Sequence, residues 1–144
     1  MKSVSERLDE IAALEDGWYD GNGHAIDLEV IEFAREHLER WMDTYQISRP
    51  GIFPGVDERD LHLEWNVKAG ASEYELCLEI VPGILGNYSC TCVKGEDEPE
   101  YELYLESQDL SLPFVRSIVL AHIIKLHQAA NQPTFTTLEA REPK

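Results

Sequence analysis

Leu61-His62-Leu63-Glu64-Trp65-Asn66-Val67-Lys68 alternates apolar and polar residues without a break, the period of a strand buried on one face. Leu61, Leu63, Trp65 and Val67 fall on one side, and His62, Glu64, Asn66 and Lys68 on the other. The same alternation recurs downstream. Tyr74, Leu76, Leu78 and Ile80 form the inward set of a second strand, Tyr88, Cys90 and Cys92 that of a third, and Tyr101, Leu103 and Leu105 that of a fourth. Ala69-Gly70-Ala71-Ser72, the stretch bracketed by Pro82-Gly83 and Gly86-Asn87, and an acidic turn over Lys94–Pro99 connect them. Connections this short join antiparallel neighbours, so a meander is expected. Ile52-Phe53-Pro54 offers a fifth strand at an edge, where proline's missing donor is tolerated.

Helical patterns flank the strands. Ser3 and Glu6 are spaced for a capping box, followed by an apolar face of Val4, Leu8, Ile11 and Ala12 and a stop near Asp16-Gly17. Asp27 is a good N-cap for a second helix, whose expected buried stripe is Leu28, Ile31, Ala34, Leu38, Trp41 and Tyr45. Glu36 and Arg40 on it are spaced for an i,i+4 pair, and the helix should end before Arg49-Pro50-Gly51. A last helix opens at Ser111-Leu112-Pro113. Val115, Ile118, Val119, His122, Ile123 and Leu126 line one face and Leu120 and Ile124 a second, which predicts deep burial. The polar tail over 132–144 reads as frayed. The expected fold is one α+β domain over 1–144: a four- or at most five-stranded antiparallel meander against two N-terminal helices and one C-terminal helix.

Charge narrows the function more than any motif does. The chain has 28 acidic against 12 basic residues among 144, a net charge of −16. Such a chain lacks the lysines and arginines that neutralise phosphate, which argues against direct binding to nucleic acid or an anionic membrane. A basic protein surface is the natural complement. No signal-peptide pattern and no apolar run of membrane-spanning length is present, and Cys77, Cys90 and Cys92 are an odd count without a Cys-x-x-Cys spacing. Both features predict a cytoplasmic protein with free thiols.

In the meander, Glu64, Glu75, Glu79, Glu102 and Glu106 share the polar face with His62, Asn66, Cys77 and Tyr104. Like charges directly opposite across strands are destabilising, and a partner of opposite charge would relieve that cost. Tyr19, in the glycine-rich loop Trp18–His24, is a candidate aromatic anchor; Trp18 should fold back as a plug under the sheet. Asp16-Gly17-Trp18-Tyr19-Asp20 fails as a calcium loop because Trp18 stands at its third position. No catalytic, cofactor or metal motif is present. A Cys77–His62 nucleophile pair is disfavoured because its glutamate surroundings oppose a thiolate. His122 reads as a hydrogen-bonded core residue, and His37 and His127 as surface or boundary residues.

Leu14, Gly17, Trp18, Gly21 and Gly23, then Pro50 and Pro54, then Leu61, Leu63, Glu64 and Trp65 make a pattern over residues 14–66. In this pattern the chain resembles a loose bacterial family of small proteins of unknown function. The family is similar in style to proteins carried on mobile elements. The chain departs from it at Asp57-Glu58-Arg59-Asp60, which replaces a glycine pair. The expected function is a non-catalytic acidic protein-binding module. An inhibitor of a basic or nucleic-acid-binding protein fits best, of antitoxin or anti-defence (anti-CRISPR) type, acting in part by imitating nucleic acid. Glu64, Glu75, Glu79, Glu102, Tyr104, Glu106 and Tyr19 would meet the partner. One alternative is a homo-oligomeric assembly subunit. Another is a metal-assisted hydrolase using His62, Glu64 and the Asp16–Asp27 loop.

Overall fold

Strand pairing follows chain order in the computed structural model, which describes residues 2–93 and 101–131. The five strands β1 (Gly51–Pro54), β2 (Leu61–Ala69), β3 (Ser72–Val81), β4 (Leu85–Val93) and β5 (Tyr101–Asp109) form one antiparallel sheet. Helices α1 (Val4–Ala12) and α2 (Leu28–Tyr45) precede it and α3 (Pro113–Ala130) follows, so the fold is α+β. The acidic turn at Lys94–Pro99, the tail from 132 onward and the side chains of Tyr101 and Glu102 lie outside the described residues.

Register turns the alternation of each strand into a continuous apolar row. Ile52 pairs with Leu63, Leu63 with Leu78, Leu78 with Tyr88, and Tyr88 with Leu105. All three helices lay their apolar residues on this face, and Leu8, Ile11, Val30, Ile31, Leu38, Val119 and Ile123 join the sheet in one core. Arg7 on α1 donates from Nε to the Ile52 carbonyl at 2.9 Å, which occupies an acceptor on the short edge strand β1. Arg35 on α2 pairs with Asp9 on α1 at 3.0 Å. Among the described residues no helix is long and apolar enough to cross a membrane.

Both caps read from the sequence form. The Ser3 hydroxyl accepts from the Glu6 amide at 3.0 Å, and the Glu6 carboxylate from the Ser3 amide at 2.9 Å. The Asp27 carboxylate accepts from the Val30 amide at 3.1 Å. One helix end differs from expectation: α1 stops at Ala12, well before Gly17, whereas α2 ends before Arg49-Pro50-Gly51 as expected, where Gln46 turns left-handed (φ 58°).

The buried stripes also shift. Leu28, Tyr45 and Ile118 are exposed, whereas Val30, Phe33 and His37 are buried. The expected six-residue stripe spans α2 from end to end, but only its inner members Ile31, Ala34, Leu38 and Trp41 are buried. Phe114 and Ile118 leave one side of α3 open, so that helix is less enclosed than its composition suggests. His37 and His127 are core rather than boundary residues. The His37 ring lies 4.4 Å from Phe33 and 5.5 Å from Trp41 and accepts from Arg40 Nη2 at 2.6 Å. Burial holds its pKa below the ordinary histidine value. That contact also takes Arg40 away from the expected partner Glu36. His122 makes the expected hydrogen bond, to the Tyr88 hydroxyl at 2.7 Å, but is only half-buried.

Two leucines on α2 separate the observed stripe from the expected one. Leu38→Ala should lower unfolding free energy by about 2–5 kcal/mol in urea titration, and Leu28→Ala by less than about 0.5 kcal/mol. Equal losses would contradict the observed orientation of α2.

Candidate functional site on the outer face of the sheet

Because the helices share one face, the other face carries no helix among the described residues. Glu64, Asn66, Glu75, Tyr104 and Glu106 are exposed on it. Lys68 is the only lysine or arginine anywhere in the five strands. A shallow trough of about 260 Å³ runs across β2, β3 and β4, lined by Glu64, Asn66, Glu75, Cys77, Ser89 and Thr91 among others.

The expected head-on opposition of glutamates does not occur in the strand pairs described. Glu64 lies opposite Cys77, Glu75 opposite Asn66 and Thr91, and Glu79 opposite His62 and Asn87. Lys68 faces Glu73, and Thr91 faces Glu102. Across these strand pairs carboxylates meet along diagonals rather than head-on, where separations of about 7–8 Å weaken the repulsion. The face keeps its charge at a smaller cost in stability than the sequence implied.

One corner of this face is built differently. Asp60, just ahead of β2, is buried, and its Oδ2 lies 2.7 Å from His62 Nε2. Glu79 Oε2 lies 3.2 Å from the same nitrogen. The donor atoms of Asp60, His62 and Glu79 lie within 4.8 Å of one another, and the Cys77 sulfur lies within 4.8 Å of a His62 ring nitrogen. These contacts, that from Asp60 foremost and that from Cys77 next, push the His62 pKa up to about 10 against the opposing effect of burial. Burial works to raise the Asp60 carboxyl, but the hydrogen bonds from His62 and Glu79 overcome it and leave the pKa below the ordinary value. Its partner moves the other way: the bond to Asp60, followed by burial, raises Glu79.

Local structure fixes the corner. The Asp60 carboxylate rests on Gly55, where an added Cβ would fall 1.8 Å from Oδ1. The Gly55 amide donates to the Asp60 carbonyl at 2.8 Å. Asn87 donates from Nδ2 to Glu79 Oε1 at 2.7 Å, while its own Oδ1 accepts from the Ser107 amide at 2.8 Å. Asn87 sits where the β4–β5 register shifts, and Ser107 has a left-handed φ of 56°. Regular β3–β4 pairing sets Asn87 opposite Glu79, and at the β4–β5 irregularity the Ser107 amide meets Asn87 from the other side.

Of the sequence candidates, Glu64, Glu75, Tyr104 and Glu106 share the open face, and Glu79 is drawn into the Asp60–His62 corner. Tyr19 is exposed, in a tight turn bridged to Asn22. Trp18 is not the expected plug under the sheet. It donates from Nε1 to the His24 carbonyl at 2.8 Å and its ring covers Gly23, so it closes its own loop. Asp16 accepts from the Ala25 amide at 2.9 Å and lies 3.8 Å from Arg59. Among the described residues, the donor clusters around His62 draw on Asp60, Glu64, Cys77 and Glu79 and on nothing from the Asp16–Asp27 loop. Asp60 was missed as a site residue, although a signal existed: it stands two positions before His62, and period-2 geometry puts both on one face.

No family model, no curated protein and no solved structure matches this chain.

A histidine with a raised folded pKa stabilises the fold below its unfolded value of about 6.5 and loses that contribution as pH rises through about 10. The stability advantage of the wild type over His62→Gln should therefore shrink steadily across that interval in urea titrations. An advantage that stays constant would show that the ring is not held as an imidazolium by Asp60 and Glu79.

Proposed function

We propose that this chain is a non-catalytic binding module that docks the outer face of its sheet on a basic protein. Inhibition of a nucleic-acid-processing protein, in the manner of an antitoxin or an anti-CRISPR, is the use we assign to it. The observation that carries the reading is the open strand face. It presents Glu64, Glu75 and Glu106 with Tyr104, and Lys68 is the only lysine or arginine in the strands. A flat array of carboxylates on a rigid sheet can present charge to the groove in which a basic protein receives a phosphate backbone. Tyr104 supplies the amphipathic aromatic that interfaces favour.

Two features refine the surface. Glu79 is engaged with Asp60, His62 and Asn87, so Glu64, Glu75 and Glu106 are the better carriers of docking charge. The apolar residues exposed on α3, Phe114 and Ile118, are too few to compete as the principal surface, since scattered exposed apolar residues are normal.

The test is binding to purified basic nuclease effector complexes as salt rises and the Debye length falls from about 30 Å to about 8 Å. Wild-type binding should weaken with salt and be competed by duplex DNA. Reversing Glu64, Glu75 and Glu106 to lysine should cost more than about tenfold in affinity, or ~1.4 kcal/mol. Undiminished binding by that variant, or loss only when Glu29, Glu32 and Glu36 on α2 are reversed, would overturn the assignment of the face.

A further inference from the structure

Asp60, His62 and Glu79 bring together one imidazole nitrogen and two carboxylate oxygens, all within 4.8 Å of one another. We propose that these three residues bind one divalent first-row transition-metal ion, with zinc the first to test. The proposal concerns a site at the corner of the sheet and does not depend on what docks on the rest of the face.

Donor chemistry is the first support. A single imidazole with two carboxylates suits zinc and its neighbours better than calcium or magnesium, which favour all-oxygen shells. Three protein donors also leave positions for water. The separations from His62 Nε2, 2.7 Å to Asp60 and 3.2 Å to Glu79, are close to the roughly 3.3 Å edge of a tetrahedron with ~2.0 Å bonds. In the metal-free molecule His62 Nε2 contacts both carboxylates directly. An ion of charge +2 seated among the three donors would balance the two carboxylates.

The second support is that both carboxylate donors are held from outside the trio. Asp60 is buried against Gly55, and Asn87 fixes the other oxygen of Glu79. Such outer contacts are what orient ligands at metal centres. The third support is access. A cleft of about 380 Å³, walled by the Pro54–Glu58 segment, opens directly on the three donors, with Asp57 and Glu58 on its wall to attract a cation. The Asp16–His24 pair offers a contrast, since Arg59 already supplies the positive charge there.

Chelator-treated protein should take up one equivalent of Zn²⁺ in isothermal titration and one of Co²⁺ by visible absorption, with no competition from Ca²⁺. Glu79→Gln and His62→Gln should abolish uptake, Asn87→Ala should weaken it roughly tenfold, and Glu75→Gln should leave it unchanged. Circular dichroism on each variant confirms folding, and the Asn87 and Glu75 variants keep all three donors should the others fail to fold. No stoichiometric uptake by the wild type, uptake indifferent to Asn87, or preference for Ca²⁺ would overturn the proposal. A thiolate-to-cobalt charge-transfer band that disappears in Cys77→Ser would also overturn it, by moving the ion to His62, Glu64 and Cys77.

Discussion

The indole of Trp65 ties the two halves of the fold together. Its ring is buried at the middle of β2, and Nε1 donates to the Ser48 carbonyl at 2.7 Å. Ser48 Oγ meets His127 Nε2 at 3.0 Å, and His127 Nδ1 donates to the Ile123 carbonyl one turn back on α3. The imidazole also sits edge-on to the indole, with centroids 6.5 Å apart. One side chain thus fixes the exit of α2, the centre of the sheet and the end of α3. A buried indole without a partner for its N–H would be costly, so this arrangement selects which face of β2 turns inward. A shift of one residue would bury His62, Glu64, Asn66 and Lys68 instead.

That choice of face decides what is left for solvent. With every helix committed to the Trp65 side, the described chain has nothing to lay over Glu64, Asn66, Glu75 and Tyr104. Register then separates the carboxylates, so acidity accumulates without direct opposition. The corner at Asp60 follows a different logic. There the acids are brought together deliberately close, and His62 supplies the compensating positive charge. A surface for docking and a cluster for holding a cation share β2 and β3 but use different residues of them.

Much of this architecture was legible from alternation alone. The inward residues of β2, β3 and β4 fall where period-2 spacing puts them, and the caps at Ser3 and Asp27 form as their side chains dictate. Helix stripes were less legible, because spacing says which residues share a face but not how far along the helix the neighbouring sheet extends. Leu28 and Tyr45, the two terminal residues of α2, are exposed. Trp18 was misplaced because a tryptophan beside glycines can bury its ring on the loop itself, with Gly23 making room. The candidate site was half legible. His62 and Glu79 were placed on one face, but Asp60 looked like turn chemistry. Its burial depends on Gly55, and no local pattern announces that contact. Asn87 faces Glu79 through the β3–β4 register, but its second contact, with the Ser107 amide, belongs to a β4–β5 irregularity that alternation cannot foresee.

The central claim is that acidity is organised on one face of the sheet rather than spread over an acidic molecule. Amide chemical-shift mapping during titration with a short oligo-arginine peptide tests it most directly, since such a peptide seeks negative potential without regard to partner identity. The largest shifts should fall at Glu64, Asn66, Glu75 and Tyr104 and fade as salt is added. Equal shifts along Glu29, Glu32, Glu36 and Glu39 of α2 would mean that the charge has no preferred face, and would contradict the account.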